Sequence, residues 1–307
     1  MERVPDVPET FTPDRPAWVS TPPQPADPAQ AVNDYDSFAE GYSAETESNI
    51  INAHLARPAI MALAGDVAGR RILDAGCGSG PLSAALRDRG AVVTGIDSSA
   101  GMLALARQRL GADADLHVVD VRDPLPFADG AFDDVVASLV LHYLEDWGPT
   151  LGEMRRVLRP GGRLIASVQH PFVDHLIQDP PRPSYFSTTS YTDEWTFDGQ
   201  PFPMTFWRRP LHAMTDAFTA AGFRIAVLSE PQADPAAREL FPDDFDEFKN
   251  KLSFLCFVVE VPRSAAGSGD QPTTPGERAP SLAREPGFWA AGSMVAGVAG
   301  RATRSEA

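Results

Sequence analysis

Residues 71–82 read Arg-Ile-Leu-Asp-Ala-Gly-Cys-Gly-Ser-Gly-Pro-Leu. The stretch begins with a short apolar run, which predicts a buried strand, and continues into a turn that contains Gly76, Gly78 and Gly80. Pro81 then opens a helix, because proline is favoured in the first helical turn. Glycine allows positive φ and the close approach of a ligand, and a helix N-terminus offers free N–H groups. The stretch therefore predicts a cradle for a nucleotide-type ligand.

Around this stretch, runs rich in Val, Ile and Leu alternate with segments of helical period, a pattern typical of parallel sheets covered by helices on both faces. The predicted strands are residues 71–75, 91–97, 116–120, 132–139, 163–168, 223–229 and 254–261. The predicted helices are residues 45–63, 81–89, 100–110, 147–158 and 210–221, and the last two strands are separated by only a short connection. We therefore predict an α/β fold with a seven-stranded, mostly parallel sheet.

The two ends of the 307-residue chain differ in composition from its centre. Residues 1–31 are dense in proline and poor in aliphatic residues, so we predict a disordered leader. Residues 263–307 are rich in small residues, Gly and Pro, which is typical of a flexible tail. One domain is expected over residues 32–262, with its core motifs in 71–168. Residues 169–209, which follow the fifth strand, are expected to form a lid, because long ordered segments there are more often lids than linkers.

Charge and cysteine content disfavour several classes of function. A net charge of -16 repels polyphosphate, which argues against nucleic acid as a substrate. Cys77 and Cys256 are predicted in the glycine turn and in an apolar strand, so we expect neither a disulfide framework nor a metal site, and a cytoplasmic location. The N-terminus lacks the apolar core of a signal peptide. Residues 287–300, the least polar part of the tail, are too short to cross a bilayer, so no stable membrane insertion is expected.

Two classes of cofactor compete for the glycine turn. A dinucleotide requires G-x-G-x-x-G, but the third glycine position is Pro81 when counted from Gly76 and Ser83 when counted from Gly78. Asp74 has the wrong charge to face a pyrophosphate and the right charge to hold a cationic amino group, such as that of a methionine moiety. Both observations favour S-adenosylmethionine over NAD.

A second acidic residue ends the next predicted strand. Asp97 lies 17 positions beyond Gly80, close to the spacing at which an acid reaches ribose hydroxyls. An adenosine ribose is therefore predicted, although both NAD and S-adenosylmethionine contain one. The structural alternative is that Asp97 caps the following helix.

Six short motifs together resemble the class I S-adenosylmethionine-dependent methyltransferases of the type 11 or quinone-biosynthesis-like group. They are Asp-Ala-Gly-Cys-Gly-Ser-Gly at 74–80, Gly-Ile-Asp-Ser-Ser-Ala-Gly-Met at 95–102, Asp-Val at 120–121, Pro-Phe at 126–127, Phe-Asp at 132–133 and Leu-Arg-Pro-Gly-Gly at 158–162. The resemblance covers about residues 35–260 and implies a Rossmann-like sheet whose last strand is antiparallel. It is specific for the cofactor and nearly silent on the acceptor.

The resemblance implies five residues for the methionine part of the cofactor. Gly76, Gly78 and Gly80 would cradle it, with Asp74 nearby. Tyr35 begins a Tyr-Asp…Ala…Tyr element similar to one in the family, and it would close over the methionine carboxylate. The alternative for the glycines is a purely structural turn.

The resemblance also implies residues for the adenosine part and for the methyl-transfer cleft. Asp97 would bind the ribose hydroxyls, and Met102 would pack against the adenine or, alternatively, belong to the ordinary core. Asp120 would accept from the adenine amino group, with Val121 offering its backbone. Ser138, at the carboxyl end of the fourth strand, would line the cleft.

Methyl transfer from a sulfonium chiefly needs alignment of the reacting atoms, which can supply about 7–11 kcal/mol. A general base is required only for acceptors that must lose a proton. His142 and His170 follow the fourth and fifth strands and are the catalytic candidates, with His212 as a third. The structural alternatives are a core position for His142 and a loop-anchoring contact for His170.

The predicted lid contains many aromatic residues, which suit an apolar or ring-bearing acceptor or, alternatively, form a second small core. They are Tyr185, Phe186, Tyr191, Trp195, Phe197, Phe202, Phe206 and Trp207. We therefore predict an enzyme that transfers the methyl group of S-adenosylmethionine to O, N or C of a small-molecule acceptor. The competing hypotheses are methylation of a quinone or isoprenoid precursor, a non-catalytic S-adenosylmethionine-binding module and a dehydrogenase. The pattern favours no particular oligomeric state.

Overall fold

The computed structural model describes residues 24–25, 33–178, 181–197 and 200–263. Most of the predicted leader and tail therefore lies outside the described residues. Two leader residues, Gln24–Pro25 (β1), form a short strand that pairs antiparallel with Thr192 and Tyr191.

The central sheet consists of seven strands. They are β2 (Arg71–Ala75), β3 (Val92–Asp97), β4 (Asp115–Val118), β5 (Phe132–Ser138), β6 (Leu158–Gln169), β9 (Arg224–Ser229) and β10 (Phe254–Glu260). Their order is β4-β3-β2-β5-β6-β10-β9, with β10 antiparallel to both of its neighbours and the other pairs parallel. This confirms the predicted fold class. The strand order reverses between β2 and β5, which opens a crevice at their carboxyl ends where ligands of open α/β sheets bind.

Nine α-helices lie in the described part of the chain. They are α1 (Ala39–Ser48), α2 (Arg57–Ala64), α3 (Pro81–Asp88), α4 (Ala100–Leu110), α5 (Gly148–Val157), α6 (Pro171–Leu176), α7 (Leu211–Ala220), α8 (Ala237–Leu240) and α9 (Pro242–Asn250). Short 3-10 helices occupy Tyr35–Phe38 and Leu141–Tyr143, and a π-helical turn occupies Asn52–Ala56. No helix in the described ranges is long and apolar enough to span a membrane.

The prediction of one helix over residues 45–63 was wrong. Helix α1 ends at Ser48, and Asn49 has an extended backbone with ψ 156°. The Asn49 side chain accepts a hydrogen bond of 2.8 Å from the Asn52 backbone N–H, so it caps the next segment instead of continuing the first. Residues 45–49 are all polar and Asn49 directly precedes the apolar Ile50, which is a helix-start signal that the prediction missed.

Helices cover both faces of the sheet because adjacent strand residues point to opposite sides. Ile72 packs with Ile60 and Leu86 on one face. Leu73 packs with Leu151 on the other. All five residues are fully buried, and the burial of Ile72 and Leu73 on opposite faces is expected of a parallel strand whose sequence is a continuous apolar run.

Two connections differ from the sequence prediction or extend it. The connection between β9 and β10 is not a short one, because it holds α8 and α9. After β6, α6 leads into a hairpin of β7 (Thr189–Phe197) and β8 (Gln200–Arg208), whose strands pair along their full length. Buried aromatic residues of this hairpin pack against Phe38 from the N-terminal 3-10 helix.

Candidate functional site

The glycine turn is fastened to the end of β3. Gly76 and Cys77 both donate backbone hydrogen bonds to the Ile96 carbonyl, at 2.8 and 2.9 Å. Gly76 has φ 75°, and a Cβ atom on it would lie 2.4 Å from Val140 Cγ2. Gly78, with φ 55°, has no heavy atom within 4 Å of the place of a Cβ atom. There is therefore no room for a side chain at Gly76, where the turn packs against Val140, whereas the space at Gly78 is free.

Asp97 joins two loops at the rim of the crevice. Its Oδ2 accepts from the Gly78 N–H and its Oδ1 from the Ser99 N–H, both at 2.9 Å. The cap of α4 is Ser99, whose hydroxyl accepts from the Met102 N–H, so Asp97 is not the N-cap residue. Burial raises the pKa of Asp97, and the two backbone donors oppose this shift.

One cavity at the carboxyl ends of β2, β3 and β5 is lined by nine of the ten residues that the sequence predicted to bind the cofactor. They are Tyr35, Asp74, Gly76, Gly78, Asp97, Met102, Asp120, Val121 and Ser138. Gly80, the tenth, does not line it. A Cβ atom on Gly80 would lie 3.1 Å from Leu110 Cδ1 and 3.3 Å from Ala106 Cβ, so this glycine allows α3 to pack closely on α4.

Asp74 is a buried acid on the cavity wall, with 1% of its surface exposed. Its Oδ2 accepts a hydrogen bond of 2.6 Å from the Ser83 hydroxyl. Burial raises the pKa of the Asp74 carboxyl to about 7, and the nearby negative charge of Asp97 adds to the effect. A cation placed beside Asp74 would favour the ionised form.

The raised pKa of Asp74 predicts a pH-dependent stability. The carboxyl has an ordinary pKa of 3.8 when unfolded, so the contribution of Asp74 to the free energy of unfolding should fall as pH rises from about 4 to about 7 and then level off. His142, whose pKa burial lowers to about 3, contributes an opposite slope over much of this range. The free energy of unfolding of the wild type minus that of Asp74→Asn, measured by urea denaturation, should therefore fall across this range, because Asn can still accept from Ser83 but does not titrate. The slopes from Asp97, Asp174 and His142 are common to both proteins and cancel in this difference. A difference that does not change with pH would contradict this assignment.

Asp120 forms an ion pair and a hydrogen bond with Arg122. The Arg122 guanidinium forms an ion pair with it, and the Arg122 backbone N–H donates to Asp120 Oδ1 at 2.9 Å. These contacts lower the pKa of Asp120. Met102 is buried and also lines the cavity. Its position is therefore compatible both with a place in the core and with contact to an adenine.

The strand end at β5 carries strain. Leu139 is the one non-glycine residue with positive φ in the described part of the chain, at 60°. Its backbone N–H donates to the carbonyl and hydroxyl oxygens of Ser167, at 3.0 and 3.1 Å. A left-handed conformation costs a residue with a Cβ atom about 1–2 kcal/mol, and such strain clusters at functional sites. Leu139 and the adjacent Ser138 both line the cavity.

The two catalytic candidates lie away from the cavity wall. His142 is 5% exposed, packs edge-on against Tyr143 and Phe206, and its pKa is lowered to about 3 by burial. His170 is 1% exposed; its Nδ1 accepts from the Phe172 N–H at 3.3 Å, which caps α6, and its Nε2 lies 3.1 Å from Glu230 Oε1. Neither residue is among those that line the cavity.

Two of the cavity residues that were not predicted from the sequence have side chains that could bind a ligand. Arg57, at the start of α2, lines the cavity, and burial lowers the pKa of its guanidinium. Tyr143, in the turn after β5, lines it as well. No local motif marks either residue. Tyr143 does follow directly on the predicted fourth strand, whose carboxyl end was the expected place for ligand contacts.

Comparison with known proteins agrees with this geometry. A family model described as a methyltransferase domain matches residues 73–166, which include the glycine turn and strands β3 to β5. Residues 73–166 of the chain are therefore similar to a methyltransferase domain, as the sequence motifs predicted. The matched residues contain every cofactor-binding candidate except Tyr35.

Two curated relatives share part of the methyltransferase domain. A demethylmenaquinone methyltransferase from Clavibacter sepedonicus is 39% identical over 141 residues, which are 45% of this chain and 57% of that protein. A malonyl-[acyl-carrier protein] O-methyltransferase from Serratia marcescens is 40% identical over 99 residues, which are 32% of this chain and 38% of that protein. The chain therefore spans only about 40 to 60% of the length of these relatives.

A solved structure shows the same fold. An S-adenosylmethionine-dependent methyltransferase from Mesorhizobium loti superposes with a TM-score of 0.53 at 24% sequence identity, over 70% of this chain and 99% of that chain. At this level of identity the likeness concerns the architecture of the sheet and its helices.

Proposed function

We propose that this protein transfers the methyl group of S-adenosylmethionine to a small molecule. The observation that carries the proposal is that nine predicted cofactor residues, scattered between Tyr35 and Ser138 in the sequence, line one cavity at the switch point of the sheet. When bound, S-adenosylmethionine supplies an activated methyl group on a cationic sulfur.

The residues on one side of the cavity fit a zwitterionic amino acid. Asp74 is a buried acid and would hold the ammonium group. Arg57 and Tyr35 line the same cavity and would hold the carboxylate, one by charge and the other by its hydroxyl. The absence of a side chain at Gly78, where a Cβ atom would meet nothing within 4 Å, leaves room for a ligand against the loop.

The residues on the other side fit an adenosine. Asp97 uses one lone pair of each carboxylate oxygen on backbone N–H groups, and the remaining lone pairs would accept from ribose hydroxyls. Met102 offers a polarisable side chain to the adenine ring, and the backbone of Val121 lies at the same wall. Asp120 would accept from the adenine amino group, which must compete with Arg122 for the carboxylate.

The reaction itself would rest mainly on alignment. Ser138 and Leu139 line the cavity at the end of β5, where the acceptor would meet the methyl group. For His142 or His170 to act as general base, its side chain would have to leave its present buried contacts. An acceptor that needs no deprotonation, or that ionises readily, is therefore the better match.

The acceptor is proposed to be apolar or aromatic, and residues 169–209 are proposed as its lid. The aromatic cluster of β7, β8 and Phe38 supports this proposal through Tyr35, Tyr42 and Tyr143, which pack against the cluster and line the cavity. A quinone or isoprenoid precursor is the alternative, supported by the similarity to a demethylmenaquinone methyltransferase. Both cysteines are buried free thiols, which suits the proposed cytoplasmic location.

Isothermal titration with S-adenosylhomocysteine tests the proposal directly. We expect micromolar binding of S-adenosylhomocysteine and no binding of NADH, because the turn lacks the third glycine of a dinucleotide site. Binding of NADH alone would favour a dehydrogenase. Binding of neither compound would contradict the proposed cofactor site.

A screen for acceptors then separates an enzyme from a binding module. Transfer of a labelled methyl group to any member of a library of phenols, quinols and apolar amines would support catalysis. Tight cofactor binding with no transfer across that library would favour the non-catalytic module.

A further inference from the structure

Two tyrosine hydroxyls meet at the cavity from distant parts of the chain. The Tyr35 and Tyr143 hydroxyl oxygens lie 2.5 Å apart, although the residues are separated by 108 positions. Tyr35 belongs to the N-terminal 3-10 helix and Tyr143 to the turn that follows β5. Both residues line the cavity.

The position of Tyr143 is set by its surroundings. Its ring packs edge-on against His142, with ring centroids 4.4 Å apart, and lies 5.3 Å from the ring of Phe206 on β8. The buried His142, which lies off the cavity wall, therefore supports a residue that lies on it. The Tyr143 hydroxyl is a fixed point on the sheet side of the cavity.

Tyr35 is held in place by different contacts from those that hold Tyr143. The segment that holds it is tied to β8 by Asn33, whose side chain donates to the Thr205 carbonyl at 3.0 Å and accepts from the Thr205 N–H at 2.8 Å. The 3-10 helix has no side-chain cap of its own. The hydrogen bond to Tyr143 thus fixes the Tyr35 hydroxyl relative to the sheet.

The pair of Tyr35 and Tyr143 has one more hydroxyl proton than the hydrogen bond between them uses. Burial raises the pKa of Tyr35 and of Tyr143, so both hydroxyls keep their protons at neutral pH. One proton serves the bond between them. Tyr42 lines the same cavity, with its ring 5.1 Å from that of Tyr35. Even if Tyr42 joined the chain of hydroxyls, three protons would serve two links and one would remain.

We propose that Tyr143 is a positioning residue: its hydroxyl donates to Tyr35 and thereby directs the Tyr35 proton at the carboxylate of the cofactor. A carboxylate is a strong acceptor for a hydroxyl, and an oriented donor loses less entropy on binding than a free one. This inference rests on the proposed function and adds to it a residue that no sequence motif marks.

The experiment compares two ligands on four proteins. The ligands are S-adenosylhomocysteine and 5′-methylthioadenosine, a thioether that lacks the amino-acid part. The proteins are the wild type, Tyr143→Phe, Tyr35→Phe and the double variant, because Phe keeps each ring and removes only the hydroxyl. We expect Tyr143→Phe to lower affinity for S-adenosylhomocysteine by about tenfold and to leave affinity for methylthioadenosine within twofold.

The double variant tests whether Tyr143 acts through Tyr35. If it does, the double variant should bind S-adenosylhomocysteine no more weakly than Tyr35→Phe alone, since the effects of coupled residues do not add. Tyr191→Phe is the matched control, because its hydroxyl belongs to the same aromatic cluster but bonds to Gln169 and Asp174. This variant should leave the ratio of the two affinities unchanged.

Three results would overturn the inference. Equal losses for both ligands in Tyr143→Phe would indicate a merely structural role. Multiplying losses in the double variant would mean that Tyr143 acts independently of Tyr35. An unchanged affinity in Tyr143→Phe would remove the role altogether. Failure of the proposed function would appear earlier, as a wild type that binds neither ligand.

Discussion

Asp97→Asn is expected to weaken binding of S-adenosylhomocysteine by about a hundredfold, which corresponds to about 2.7 kcal/mol. Two losses combine in this effect. The ribose hydroxyls lose a charged acceptor, which is worth about 1.5–3 kcal/mol for a hydrogen bond. The Asn amide group would also face either the Gly78 or the Ser99 N–H with a second donor, which disturbs the loop that Asp97 holds.

The control for Asp97 is Asp115→Asn on the neighbouring strand β4. Asp115 accepts from the Thr94 hydroxyl at 2.6 Å and lies outside the cavity lining, so the same loss of charge should leave affinity within about twofold. Calorimetric titration of both variants provides the comparison. Wild-type affinity in Asp97→Asn would show that the ribose assignment is wrong.

Gly76→Ala should be the most damaging single substitution in the glycine turn. At φ 75° an alanine would occupy the left-handed region at a cost of about 1–2 kcal/mol. Its Cβ atom would also lie 2.4 Å from Val140 Cγ2, and overpacking of this kind costs about 1–3 kcal/mol. The expected loss in the free energy of unfolding is therefore about 2–5 kcal/mol, measured by urea denaturation.

Alanine substitutions at two other glycines distinguish the backbone cost at Gly76 from the cost of the contact with Val140. Gly69→Ala has a similar φ of 71° and nothing within 4 Å of its Cβ position, so it should show the backbone cost alone. Gly78→Ala, at φ 55°, should likewise show only the backbone cost of about 1–2 kcal/mol, because its Cβ position is open, but its methyl group would enter the cavity and weaken S-adenosylhomocysteine binding. Equal stability of the Gly76 and Gly69 variants would show that the Val140 contact relaxes freely.

The sequence predicted the elements correctly where neighbouring residues along the chain specify both their type and their ends. The strand 71–75 and the helix 100–110 have the predicted bounds, because a short apolar run bounded by glycine, and a helix between Ser99 and Gly111, are specified by neighbouring residues. The break at Asn49 was missed because it depends on one capping side chain inside a segment that is otherwise helical on both sides.

The candidate site divides in the same way. Asp74, Gly76, Gly78 and Asp97 lie in one unit of strand, turn, helix and parallel strand, so their spacing predicts that they meet at one edge of the sheet. Gly80 fits the same motif, but its lack of a side chain serves the contact between α3 and α4. A spacing rule cannot distinguish these two uses of glycine.

By itself the sequence determined the fold, the resemblance to a methyltransferase domain and the acidic and glycine residues that line the cavity, because these depend on short-range order along the chain. Only the tertiary structure decided which remote groups join that cavity. In the structure Tyr35 contacts Tyr143, and Arg57 lines the cavity. His142 and His170 are buried and do not line it. The reason is that these side chains are placed by the packing of separate elements, and such long-range contacts leave no periodic or local trace in the sequence.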